Sequence, residues 1–133
     1  MPNGKSPTRE EIKAAYEESR QELGTLEQKL IAKIREINKL GPNKTDADKK
    51  QRDDLQEALR VCQGEAAILA QETVRALDKT GEIKELSNKF VAARKNLEKS
   101  LERVKHIQEI AATTVKVLAA LEKAAKKAAA YMV

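Results

Sequence analysis

Residues 82–128 read EIKELSNKFVAARKNLEKSLERVKHIQEIAATTVKVLAALEKAAKKA, a stretch without a glycine or a proline. Ile83, Leu86, Phe90, Ala93, Leu97, Leu101, Val104, Ile107, Ala111, Val115, Leu118, Leu121 and Ala125 recur in it at separations of three or four residues. That period winds them onto one stripe of an α-helix. The spacing predicts a single helix from residue 82 to about residue 129, roughly 70 Å long at about 1.5 Å per residue. One segment argues for an interruption. At Ala112-Thr113-Thr114-Val115 the β-branched side chains lower helix propensity, and a kink there would fold a short fourth helix back. The unbroken stripe favours the long helix.

Two further helices precede it. Ser6-Pro7 offers an N-cap followed by proline at the first helical position, and Thr8 with Glu11 offers a capping box one register later. Leu40-Gly41-Pro42 supplies the stop. The helix expected over residues 7–40 carries Ile12, Tyr16, Leu23, Leu26, Leu30, Ile34, Ile37 and Leu40 on one face, with Ser19 in the gap. Thr45 and Asp48 cap a second helix over residues 45–80, whose seam is Leu55, Leu59, Cys62, Ala66, Leu69, Thr73, Ala76 and Leu77 and whose stop is Lys79-Thr80-Gly81. Short turns between long amphipathic helices make neighbours antiparallel. The expected fold is therefore all-α: an antiparallel, left-handedly supercoiled up-down-up bundle of three long helices over residues 1–133 as one domain, with residues 1–6 disordered and the third helix long or kinked into a short fourth.

Composition agrees. Ala, Glu, Lys, Leu and Arg make up more than half of the 133 residues, as in long helices and coiled coils. With no Trp, one Phe, two Tyr, five Gly and three Pro, the chain lacks the aromatic strands and turn residues of a barrel or sandwich. The net charge of +5 resides entirely in residues 82–133. No apolar run resembles a signal peptide or a membrane span, and the single cysteine suits a reducing compartment, so a cytoplasmic protein is expected.

Candidate chemistry is sparse. Cys62 falls on the apolar seam of the second helix, in register with Leu55, Leu59 and Leu69, where a cysteine acts as a small buried hydrophobe; a nucleophilic thiol needs an exposed, electropositive site beside a base. Glu102, His106 and Glu109 share a helix face at metal-ligand spacing, but they lie off the Leu101-Val104-Ile107 stripe, and one histidine cannot supply the paired motifs of a bundle metal centre. The adjacent pairs Glu10-Glu11, Glu17-Glu18 and Asp53-Asp54 point about 100° apart on a helix and form no acid–base pair. No enzyme, cofactor or metal is expected.

The remaining reading is interaction through a surface. Along Thr113–Val133, Lys116, Lys123, Lys126 and Lys127 form a basic side opposite Val115, Leu118, Leu121 and Ala125. A straight third helix would outreach its partners, leaving Val115, Val117, Leu118 and Leu121 in water, so a homodimer through residues 111–133 is expected. The alternative is a monomer whose folded-back fourth helix covers them. A membrane-surface role is disfavoured by the alanine-rich apolar side, which lacks Trp and Phe. The lysines and arginines of residues 84–105 would serve an alternative function, binding nucleic acid or another anionic surface. Interleaved Glu85, Glu98, Glu102 and Glu109, and the absence of aromatic platforms, argue against specific nucleic-acid recognition. The expected function is a non-catalytic binding, adaptor or scaffold module for a protein partner.

Overall fold

Two reciprocal caps set where the first helices begin. In the computed structural model, which describes residues 6–78 and 82–131, Thr8 N donates to Glu11 Oε1 at 2.9 Å while Glu11 N donates to Thr8 Oγ1 at 3.1 Å. Thr45 and Asp48 repeat the arrangement at 2.9 and 3.0 Å. Each box satisfies donors that the first helical turn leaves without partners. Helix α1 spans Arg9–Asn38, and a 3-10 turn, Gly41–Asn43, leads into α2, Asp46–Asp78. Gly41 takes φ +55°, a left-handed conformation that favours glycine. The second stop expected, Lys79-Thr80-Gly81, lies outside the described residues, as do residues 1–5 of the N-terminal segment expected to be disordered.

Beyond Glu82 the structure departs from the long helix. Helix α3 is Ile83–Leu101, and α4, Gln108–Ala129, folds back antiparallel to it. A fourth helix therefore exists, but the break falls at residues 102–107 and not at 112–115, and the bundle is up-down-up-down. Helix α1 packs against α2 and α4, and α3 packs against α2 and α4, closing a ring of four. Burial explains the departure. Folding back places Ile110, Val117, Leu121 and Ala124 at 0–1% exposure in the common core, and covering each large aliphatic contributes about 1.5–3 kcal/mol. Few helical hydrogen bonds are given up, because the turn keeps local ones: Val104 N to Leu101 O at 3.1 Å and Lys105 N to Leu101 O at 2.9 Å.

The α3 stripe is as the spacing predicts, with Ile83, Leu86, Phe90, Ala93, Leu97 and Leu101 all buried. In α1, Ala15 faces the core where Tyr16 was expected; Tyr16 is half-buried and Leu40 is exposed. Ser19 occupies the gap in the α1 face fully buried, its hydroxyl donating to Ala15 O at 3.1 Å. The break shifts the phase of α4, whose core face is Ile110, Thr113, Thr114, Val117, Ala120, Leu121, Ala124, Ala125 and Ala128. Val115, expected on the apolar stripe, is 68% exposed. Helices α1 and α2 have 30 and 33 residues against 19 and 22 for α3 and α4. Contacts of Glu109 with Lys33 and of Arg103 with Asp54 set the α3–α4 turn beside residues 33 and 54, so the tip of the α1–α2 hairpin extends past it.

Candidate interaction surface

An open groove lies between α2 and α3, about 780 Å³ in volume, lined by Asp53, Asp54, Glu57, Arg60, Val61, Gly64, Glu65 and Ile68 on one wall and Asn96, Lys99, Ser100 and Arg103 on the other. Val61 and Ile68 are the large apolar side chains of its lining. Val61 is half-buried against the core and Ile68 is 47% exposed. Gly64 lies between them in mid-helix, and a Cβ there would meet nothing within 4 Å. Glycine costs a helix interior about 1 kcal/mol relative to alanine, and no packing or positive φ at Gly64 requires it.

The walls differ in charge. Asp54 sits between Lys50 at 3.1 Å and Arg103 at 3.7 Å, and Glu65 accepts a hydrogen bond from Asn96 Nδ2 at 3.0 Å. A hydrogen bond from Arg60 lowers the Glu57 carboxyl below its ordinary range. The α3 wall is basic through Lys99 and Arg103; elsewhere on the same helix Lys84, Lys89 and Lys95, like Lys99, make no ion pair among the described residues.

The C-terminal residues expected to form the interaction surface are divided by the fold. Val117 and Leu121 are fully buried in the core of their own chain, and Leu118 is half-buried against it. The overhanging apolar face expected of a straight helix is thus covered by folding back, and of those four side chains Val115 alone stays largely exposed. Lys116 is exposed, Lys123 reaches Glu18 of α1 at 3.1 Å, Lys126 pairs with Glu122 at 3.1 Å, and Lys127 is half-buried.

Cys62 is fully buried, its thiol donating to Leu23 O at 3.7 Å, and burial pushes its pKa up to about 12. At neutral pH it is a thiol, the form that packs and does not attack. Around the exposed His106, Glu102 pairs with Lys105 at 2.6 Å and Glu109 with Lys33 at 3.5 Å. Among the described residues no three His, Cys, Asp or Glu side chains gather as a metal would need. No helix among them is long and apolar enough to cross a membrane.

Val61, Gly64 and Ile68 were missed in the sequence because they flank the seam of α2 and do not belong to it. A mid-helix glycine next to an isoleucine off the stripe was the available signal. Comparison of the chain with protein-family profiles, with curated proteins and with solved structures found no match.

Proposed function

We infer that the chain is a non-catalytic interaction module whose α2–α3 groove receives an amphipathic helix of a partner protein. The observation that supports this most directly is Ile68, 47% exposed beside Gly64 in an open groove. Helices dock into grooves through a few apolar anchors spaced at helical intervals, with charged rims setting orientation. Val61 and Ile68 supply apolar contact, Gly64 allows close backbone approach, and the acidic α2 rim and basic α3 rim fix direction. A reducing, cytoplasmic setting suits the single thiol.

Affinity capture from the native host, with Ile68→Glu and Gly64→Arg as controls, tests the reading. A protein held by the wild type and lost from both variants, with helicity unchanged by circular dichroism, supports it. Capture indifferent to both substitutions refutes it.

The unpaired lysines of α3 support a second reading, attachment to an anionic polymer. Heparin or DNA binding that survives physiological salt and falls with Lys95→Glu and Lys99→Glu would favour it, because nonspecific charge attraction is screened under those conditions.

A further inference from the structure

The turn that reverses the chain between α3 and α4 contains no residue that demands a turn. Residues 102–107 are Glu-Arg-Val-Lys-His-Ile, without glycine, proline, asparagine or aspartate. Helix α3 ends on Glu102 in helical conformation, φ −54° and ψ −39°, and lacks the left-handed glycine that stops α1. Helix α4 begins after Ile107, which is extended at φ −77° and ψ 119°, and no side chain caps it. Between these points Lys105 N already makes a helical bond to Leu101 O. For α3 and α4 to join into one helix, ψ of Ile107 must move from 119° toward the helical value, about −42°.

Such a helix would present two apolar faces in opposed directions. At about 100° per residue, Ile110, Val117, Leu121 and Ala124 lie roughly 160° round the axis from Phe90 and Leu97. One α1–α2 hairpin cannot cover both. Two hairpins on opposite sides of the helix can. Val115, 68% exposed in the folded-back form, and the half-buried Ala111 would fall on the continuation of the α3 face.

We propose that a second copy of this chain is a partner, engaged by exchange of α4: the 102–107 turn opens, residues 83–129 become one helix, and each α4 occupies the seat on α1 and α3 of the other copy. Exchange rebuilds the contacts of the closed fold between chains, so closed monomer and exchanged dimer differ mainly at the hinge and in their response to concentration. The buried Val104 and Ile107 hold the closed form at low concentration. This inference does not depend on the α2–α3 groove.

Gln108→Pro separates the two forms. Proline at the first position of α4 suits the closed fold, where the preceding Ile107 is already extended, whereas inside a continuous helix it clashes and removes a hydrogen bond. Wild-type protein refolded at hundreds of micromolar should yield a dimer by light scattering that dissociates slowly on dilution. Gln108→Pro should lower that yield at least tenfold, and Gln108→Ala should not. A second measurement locates α4. In a Cys62→Ala background, Glu18→Cys with Lys123→Cys places thiols at the α1–α4 contact, and a short bismaleimide should join two chains covalently in the dimer fraction but close within one chain in the monomer. Refolding to monomer alone, a dimer undiminished by Gln108→Pro, or cross-links that close only within chains would each overturn the proposal.

Discussion

Lys123 Nζ lies 3.1 Å from Glu18 Oε1, an ion pair between residues 105 positions apart that fastens the side of α4 to α1. Within one chain it can form only if the polypeptide reverses after α3. As an intrachain pair it therefore marks the folded-back form.

The pair should stabilise little. Its side chains are 54% and 48% exposed, and pairs of that kind contribute about 0.2–1 kcal/mol and weaken with salt. A double-mutant cycle with Glu18→Gln and Lys123→Gln, read by urea unfolding, should give a coupling in that range at low ionic strength and nearly none in molar salt.

Core and surface positions of α4 should respond very differently to truncation. Leu121→Ala removes a side chain at 0% exposure and should cost about 2–5 kcal/mol. Val115→Ala, at 68% exposure, should stay within about 0.5 kcal/mol. A straight helix with its Ala111-Val115-Leu118 stripe inward would reverse the ranking, so chemical denaturation of these two variants decides which face of α4 is buried.

The contrast shows what the sequence carried locally and what it did not. Thr8 with Glu11, Thr45 with Asp48, and Gly41 before Pro42 act over a few residues, and each does in the structure what its spacing implies. The α3 stripe was equally legible, because large aliphatic residues alternate there with charged ones. Helix α4 was not. Alanine is neutral between core and surface, so Ala111, Ala120, Ala124 and Ala125 fit more than one phase. With no glycine or proline at residues 102–107, only the burial gained by Ile110, Val117 and Leu121 determines where the chain reverses. The α2–α3 groove depends on how two distant segments stand apart, which no local spacing encodes, although Gly64 was a local trace of it.

Two glycines in helical or turn settings should give opposite results on substitution. At Gly64 an added Cβ meets nothing within 4 Å, so Gly64→Ala should stabilise α2 by about 1 kcal/mol through helix propensity. At Gly41 the space is also open, but φ is +55°, and Gly41→Ala should destabilise by about 1–2 kcal/mol because a side chain disfavours that conformation. Thermal unfolding of the two variants checks both signs.

Cys62 makes the stability of the bundle fall at alkaline pH. Burial raises its folded-state pKa to about 12, whereas an unfolded cysteine titrates near about 8.5. Between those values the unfolded chain loses a proton that the folded chain keeps. The contribution of the thiol is therefore fully present below about pH 8.5 and is lost progressively as pH rises toward the folded value. The informative quantity is the difference between wild type and Cys62→Ala. The substitution should lower stability at pH 7 by leaving a small cavity beside Leu23 and should flatten the decline above pH 8.5. The same burial governs reactivity. At pH 8 a thiol-selective disulfide reagent should label native protein far more slowly than urea-unfolded protein, and at a rate that follows opening of the bundle. Labelling of the native thiol at the unfolded rate, or parallel pH profiles for wild type and Cys62→Ala, would contradict a buried, protonated Cys62.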